Sequence, residues 1–257
     1  MFNLQDRETI ANAASEYLSS LRKSDLIARN VETIEEYRKR YVDSFSIDLR
    51  LTFDEDRDLK KAVEIANRAL RPYSRLSWKF AICRDDRVEN GYPHTHRDII
   101  VLTPMCFKLS ARELAKTLVH ERVHVYQREF AVETQVLLMN RLGLVLDRVD
   151  HPKDIERSNP DLFFVESLRY TAKSTYCSQE YNSNPKSLAD SRIRCRERLD
   201  VADERLDVAD EKTQWFSRFE HPYEGMAYTI ADILFSSIES YDPKIIAIFR
   251  KWMVEYF

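Results

Sequence analysis

Apolar and polar positions along this chain change their spacing several times, and each change marks the expected start of a new element. Residues 1–43 carry apolar side chains at helical spacing with no proline or glycine between them, which favours helices. The segment 44–53, SFSIDLRLTF, alternates between apolar and polar residues, which is typical of a half-buried strand. Helical spacing returns from Asp54 to Leu70 and is ended by Pro72, so a helix is expected there.

Two more strands and a capped helix are expected in the middle of the chain. The segments LSWKFAIC and DIIVLTP are rich in strand-forming residues, and the turn-forming segment ENGYPHTH lies between them. Ser110 and Glu113 have the spacing of a capping box, which predicts a helix that runs from Ala111 to about Phe130.

Further helix is expected up to Met139 and again from about Leu144. The prolines in SNPDL and NSNPKS indicate a long irregular stretch over 151–220. His221 and the proline after it form a start signal for a last helical block that reaches the carboxyl end.

The order of helices, a few strands and more helices predicts an α+β fold, mainly helical, with a small mixed β-sheet beside the capped helix. We expect one domain over residues 1–257. Its segments are an N-terminal helical segment (1–43), the sheet with the capped helix (44–150), an irregular insert (151–220) and the last helical block (221–257). Within the insert the heptad ERLDVAD occurs twice, at 197–203 and 204–210, which favours a lengthened surface helix over a lid or partner-binding helix.

Composition excludes several classes of function. Three glycines in 257 residues leave no glycine-rich phosphate loop, so the common kinds of nucleotide chemistry are not expected. The formal net charge of −3 argues against a general nucleic-acid-binding surface. No apolar run is long enough to cross a bilayer, and the polar amino terminus does not resemble a secretory signal. The four scattered cysteines are expected to be reduced thiols of an intracellular protein.

The segment VHERVHV carries the clearest chemical signal. His120, Glu121 and His124 form the sequence HExxH inside the expected helix. Residues four apart lie on one face of a helix, so both imidazoles can reach one ion. Neutral imidazole is a good zinc ligand, and the adjacent glutamate is suited to the role of general base. A Zn²⁺ site is therefore expected, and the alternative is an exposed helix whose two histidines bind nothing.

Two histidines leave a catalytic zinc site one protein ligand short. Gln127 and Phe130 stand where the metzincin pattern requires glycine and histidine, so that class is excluded. Glu224 begins an otherwise apolar helix, where a carboxylate is costly unless it is paired, and we expect it to be the third ligand. The alternative is an exposed glutamate favoured by the helix dipole, which would return attention to Glu129 and Glu133.

HERVH followed far downstream by HPYEGMAY resembles the gluzincin type of zinc metallopeptidase. GYPHTHRDIIVLTP, SNPDL and YNSNPKSL are similar to segments of uncharacterised metallopeptidase-like proteins of large DNA viruses and some microbes, and the resemblance covers roughly residues 75–235. It implies a zincin-like fold, zinc bound by His120, His124 and Glu224, and Glu121 as the general base. Thermolysin-like enzymes have aspartate where this chain has Tyr228, so the usual second carboxylate is not assigned.

On a zincin-like scaffold DIIVLTP would be the edge strand beside the cleft. Ile99 and Val101 are therefore expected to bind an extended peptide through main-chain hydrogen bonds, with an ordinary core strand as the alternative. His96, in the preceding turn, is a further candidate for substrate contact, and its alternative is a turn histidine. His221 and Tyr228 are candidate donors to an oxyanion, although a helix N-cap accounts equally well for His221.

These features predict a zinc-dependent metallopeptidase that hydrolyses peptide bonds with a zinc-activated water and a glutamate base. The expected partner is a protein or peptide substrate, with neither nucleic acid nor membrane, and the oligomeric state is left open. One alternative is a catalytically inactive zincin-fold protein with a structural or virion-associated role. Another is a protease that acts on DNA-bound proteins, which the lack of a CxxC ribbon and of a basic tail disfavours.

Overall fold

A computed structural model describes residues 2–45, 50–70, 77–148, 153–165, 168–172, 175–197 and 211–255. Within these ranges the chain is mainly helical and its strands form a four-stranded sheet and two two-stranded sheets, so the expected α+β class is confirmed. Apart from its first residue, the duplicated heptad lies outside the described residues, and the surface helix expected there stays a prediction.

The helices of the described residues are, in chain order, α1 (Arg7–Ser20), α2 (Lys23–Ala28), α3 (Ile34–Asp43), α4 (Phe53–Leu70), α5 (Ala111–Glu129), α6 (Ala131–Val136), α7 (Glu211–Phe216), α8 (Pro222–Phe235) and α9 (Pro243–Glu255). The strands are β1 (Phe2–Leu4), β2 (Trp78–Ile82), β3 (His94–His96), β4 (Ile99–Leu102), β5 (Val145–Arg148), β6 (Leu168–Thr171), β7 (Thr175–Tyr181) and β8 (Ser191–Glu197). The predicted helices at α4 and α5 and the predicted strands at β2 and β4 are confirmed. None of these described helices is both long and apolar enough to span a membrane.

The strand expected over 44–53 is wrong at its carboxyl end. Phe45 makes only an isolated bridge, the middle of the segment lies outside the described residues, and Phe53 begins α4 with 82% of its surface exposed. Thr52 and Glu55 cap that helix, since each backbone N–H donates to the other side chain, at 2.8 and 3.2 Å. This capping box starts a helix at a residue that the alternation assigns to a strand.

The four-stranded sheet has the order β1-β2-β4-β3, with β2 parallel to both β1 and β4 and with β3 antiparallel to β4. His94–His96 thus form a strand where a turn was expected. The sequence concealed it because all three side chains of HTH are polar, although all three are buried. β4 consequently lies between two strands, and its expected position at the sheet edge is wrong.

α5 lies at the centre of the fold. It packs against α4 on one side and α8 on the other, and the predicted capping box of Ser110 and Glu113 is present. The main hydrophobic core joins these helices and α9 to one face of the sheet. A second cluster fills the space between the opposite face and the helices α1 and α3. The helices expected in the amino-terminal segment are therefore present from Arg7 onwards, but Phe2–Leu4 form β1, because they pair with β2, and a helix there is wrong.

The helix expected from about Leu144 is wrong. Gly143 has a φ of 70°, a left-handed conformation that ends the preceding helical turn, and the chain continues into β5. β5 pairs antiparallel with β6, which lies in the segment expected to be irregular.

Residues 151–220 contain a second antiparallel pair, β7 and β8, which the irregular stretch did not anticipate. Cys177 lies directly opposite Cys195 in this pair, and the two form a disulfide. The expectation of four reduced thiols is therefore wrong, because the strand register brings two distant cysteines together. Cys83 and Cys106 are free and buried.

Candidate metal centre

His120 and His124 lie one turn apart on the side of α5 that faces α8. The regular geometry of a capped helix carries both imidazoles to the same side. Their Nε2 atoms are 3.1 Å apart. His124 is fully buried and His120 is partly exposed, so one ring anchors the pair in the core while the other reaches the protein surface.

Glu224 reaches these two rings from the first turn of α8. Pro222 takes the first helical position, where a missing N–H is tolerated, and the His221 side chain caps the helix by accepting a backbone N–H. Glu224 Oε2 is 3.4 Å from His120 Nε2, and Glu224 Oε1 is 3.5 Å from His124 Nε2. The structure thus brings together the three residues that the sequence predicts to be ligands.

Gly225 allows the start of α8 to be tightly covered. A Cβ atom at this position would meet ring carbons of Trp215 and of Phe219, each at 2.8 Å. These contacts are too short for a side chain, so only glycine lets both aromatic rings close over the backbone next to Glu224. Trp215 is itself buried in the main hydrophobic core.

The donor atoms lie near the separations of a zinc ligand set. Zn–N and Zn–O bonds of about 2.0–2.1 Å in a tetrahedron place the ligand atoms about 3.3–3.4 Å apart. The two histidine nitrogens are 3.1 Å apart, and each lies 3.4–3.5 Å from a different oxygen of the Glu224 carboxylate. One ligand atom from each residue lies within 4.8 Å of the other two, so a small adjustment would complete the set. Two imidazoles and one carboxylate are also the donor types of a catalytic zinc site, and within the described ranges these residues form a group suited to hold an ion. The residues therefore fit zinc.

The charges around this group favour a cation. Burial raises the pKa of Glu224, but His124 and His120 outweigh it and hold that pKa well below its ordinary value. Burial lowers the pKa of His124, but Glu224 and Asp161 outweigh it and raise that pKa to about 9. Glu224 is thus kept ionised and positive charge beside it is stabilised, which is the environment that a divalent ion requires.

Gln127 orients His124, a role that sequence reasoning missed. His124 Nδ1 lies 2.9 Å from Gln127 Oε1, and Gln127 Nε2 donates to the backbone oxygen of Tyr223 at 2.9 Å. Because an amide oxygen can only accept, His124 Nδ1 carries a proton, and Nε2 is the ring nitrogen that faces Glu224. An ion bound there would replace any proton on Nε2. Only the spacing of three residues along the helix hints at this contact.

Glu121 is buried, and its Oε2 has no hydrogen-bond partner among the described residues. Burial, followed by the negative charge of Asp161, raises its pKa well above the ordinary value. Burying a polar oxygen without a partner is costly, so its retention beside two candidate ligands points to a chemical use.

A cavity of about 920 Å³ opens beside these residues. His120, Glu121 and Glu224 line it, and so does Tyr228, which lies one turn after Glu224 on α8. The ring centroid of Tyr228 is 4.3 Å from that of His120, and Phe219 stacks on its other side. The volume lies near the upper end of the range for ligand pockets, so the cavity has room for a peptide segment.

The remaining predicted site residues do not line this cavity. His221 is the N-cap of α8 and lines a separate cavity of about 40 Å³, where burial lowers its pKa to about 3. Ile99 and Val101 are buried against the amino-terminal helices, on the opposite face of the sheet from α5. His96 packs against the ring of Tyr17 on that same side. Peptide binding along β4 is therefore wrong, because β2 and β3 occupy both of its edges.

The outer edge of β3 is also occupied at its centre. The Thr95 N–H donates to Asp161 Oδ1 at 2.7 Å, and Arg128 Nη2 donates to the Thr95 oxygen at 3.2 Å. These are the two backbone groups that an added strand would need at this position. A substrate cannot extend the sheet through Thr95.

Comparisons of the chain with protein-family models, with curated protein sequences and with solved structures found no match. The resemblance to gluzincins therefore stays a prediction.

Proposed function

We propose that the protein is a zinc-dependent peptidase with a gluzincin-type ligand set. His120, His124 and Glu224 would hold the ion. One observation carries the proposal: two imidazole nitrogens and a carboxylate from two helices, about a hundred residues apart in the chain, lie within 4.8 Å of one another. These are the donor types of a catalytic zinc site. A zincin-like fold is part of the proposal, and the paired helices α5 and α8 beside a small sheet support it.

A zinc ion held there would supply a Lewis acid and would lower the pKa of a bound water. Glu121 is the general base of the proposed reaction. Its carboxylate takes a proton from the attacking water and transfers it to the amine that leaves when the peptide bond breaks. The raised pKa of Glu121 and its unpartnered Oε2 support this role, since both make the carboxylate a better proton acceptor.

Tyr228 is the proposed donor to the oxyanion that forms on the substrate carbonyl. It lines the cavity, lies one helical turn from Glu224 and contacts the ring of His120. His221, the other candidate, caps α8 outside this cavity and is not assigned a catalytic role.

The substrate class is a protein or peptide. The cavity is lined by residues from the turn before β3, from the β7–β8 pair and from α8, so a peptide segment could contact all three. Because Thr95 is already hydrogen-bonded, the peptide backbone must be held by groups inside the cavity rather than by extension of the sheet.

The test is zinc content together with cleavage of a mixed peptide library, read by mass spectrometry. Wild-type protein is expected to contain one zinc ion per chain and to cleave peptides. Glu121→Gln is expected to keep its zinc and to lose at least about 100-fold in rate, because the general base is removed. Glu129→Gln, on the exposed side of the same helix, is the matched control and should change neither property.

The outcomes separate the alternatives. Wild-type protein that binds no zinc would refute the proposal. Bound zinc with no cleavage, and no difference between wild type and Glu121→Gln, would instead support a catalytically inactive zincin-fold protein.

A further inference from the structure

We propose that Asn159 is a positioning residue that holds Glu224 in its ligating orientation; this inference rests on the function proposed above. Asn159 Nδ2 donates to Glu224 Oε1 at 3.0 Å. His120 and His124 each approach a different oxygen of the Glu224 carboxylate from α5, and the Asn159 amide supplies a contact from a different segment of the chain. A carboxylate on a flexible side chain is thereby held in one rotation before an ion arrives.

The same amide also binds a second glutamate. Asn159 Nδ2 donates to Glu220 Oε1 at 2.6 Å, and one amide nitrogen has two hydrogens, one for each carboxylate. Arg157 lies 3.3 Å from Glu220 and balances its charge. The group that donates to Glu224 is an uncharged amide, so it does not neutralise the carboxylate. Glu224 therefore keeps its full negative charge for the ion.

The orientation of the Asn159 amide is itself determined. Its Oδ1 accepts the backbone N–H of Asp161 at 2.9 Å, which leaves Nδ2 as the group that faces the two glutamates. The backbone oxygens of the next two residues, Pro160 and Asp161, both accept hydrogen bonds from Arg128 on α5, each at 3.1 Å. These hydrogen bonds hold the segment 159–161 against α5, the helix that carries both histidines.

The residue before Asn159 in the chain is hydrogen-bonded to α2. Asp25 accepts the Ser158 N–H at 2.9 Å and the Ser158 hydroxyl at 2.8 Å. Asp25 is fully buried and also accepts from the Tyr181 hydroxyl at 3.0 Å. Burying a carboxylate costs free energy unless hydrogen bonds offset the loss of water. Here the hydrogen bonds that offset it also hold the residue next to Asn159 in place. The amino-terminal helices therefore contribute to the site without touching it.

The experiment measures metal binding by the full chain, with zinc in competition against a chromophoric chelator and with cobalt(II) by its visible absorption. Asn159→Ala and Asn159→Leu are expected to weaken zinc binding by about 10- to 100-fold, because a group that orients a metal ligand is lost. The cobalt spectrum should change as well, since the ligand geometry changes. Asn67→Ala on α4 is the matched control, because it also removes one asparagine hydrogen bond, the one that Asn67 Oδ1 accepts from the Trp78 ring N–H on β2.

A double-mutant cycle distinguishes a positioning role of Asn159 from a merely structural one. In a Glu224→Gln background, Asn159→Ala should weaken zinc binding by less than about two-fold further, because its effect passes through the Glu224 carboxylate. Equal weakening in both backgrounds would overturn the inference. So would wild-type zinc affinity and an unchanged cobalt spectrum in folded Asn159→Ala. Wild-type protein that binds neither metal would refute the proposed function, a result distinct from either of these.

Discussion

Arg29→Met is the substitution that should destabilise the fold most sharply. The Arg29 guanidinium is buried between α2 and the turn before β3. Its Nη2 donates to Glu89 Oε2 at 2.7 Å and to the Tyr17 hydroxyl at 2.7 Å, and its Nη1 lies 3.3 Å from Asp25 Oδ1. Glu89 is itself almost fully buried, so without Arg29 its charge would be left without a cationic partner.

The magnitude follows from this burial. Removing one partner of a buried ion pair costs about 3–5 kcal/mol, because the remaining charge stays desolvated. Methionine fills much of the arginine volume, which keeps the packing loss small. Arg29→Met combined with Glu89→Gln should recover part of this free energy, since glutamine is neutral and can still accept from the hydroxyl groups of Tyr17 and Tyr37.

The loss of unfolding free energy in Arg29→Met should also depend on pH. Burial raises the pKa of Glu89, but Arg29, together with His94 and the Tyr37 hydroxyl, outweighs it and leaves that pKa below its ordinary value. In the wild type Glu89 therefore stabilises the fold above its unfolded pKa, and this contribution is lost as the pH falls through the folded pKa. Without Arg29, burial alone raises the folded pKa above the unfolded one, so protonation stabilises the variant and the deficit narrows from pH 7 towards pH 5.

Urea unfolding of both proteins, followed by circular dichroism at pH 7 and pH 5, measures this deficit. A deficit below about 1 kcal/mol at pH 7 would refute the reasoning, because exposed ion pairs already contribute that much. A deficit of equal size at both pH values would show that Glu89 is not the group left unpaired.

Two further predictions concern Gln127 on α5 and the disulfide. Gln127→Leu should weaken zinc binding by about 10- to 100-fold in chelator competition, while Gln135→Leu on α6 should not; unchanged affinity in the first variant would mean that Gln127 does not orient His124. Cys195→Ser should lower the free energy of unfolding by about 2–4 kcal/mol, because it opens the loop closed with Cys177. A reductant should destabilise the wild type by the same amount and leave this variant unaffected, and an equal response of both proteins would contradict the assignment.

The parts of the fold that the sequence predicts are those whose signals are local. The capping box at Ser110 and the helical spacing after it place α5 correctly, and runs of apolar residues place β2 and β4. The pairing of His120 with His124 follows from helix geometry alone. That Glu224 comes to lie beside them was predicted from the cost of an unpaired carboxylate in an apolar helix start, and the geometry agrees.

The parts that the sequence did not predict depend on partners far away in the chain. β3 consists of polar residues, and two of them have buried partners from distant segments. Tyr41 is hydrogen-bonded to His94, and Asp161 accepts from the backbone of Thr95. β8 carries arginines at alternate positions, and these side chains stay partly or fully exposed. The strand forms because β7 lies beside it, where the buried Glu180 accepts from Arg196. Neither pattern contains the apolar periodicity that identifies a strand.

The blocked edge at Thr95 has a practical consequence for anyone who designs inhibitors. Compounds that copy an extended strand and carry a zinc-chelating group at one end gain affinity from backbone pairing in enzymes that leave an edge open. Here Arg128 and Asp161 already hold those backbone groups, so such a scaffold would contribute little beyond the chelator. A compact chelator extended towards the aromatic rings of Tyr92 and Tyr228, which both line the cavity, should discriminate better.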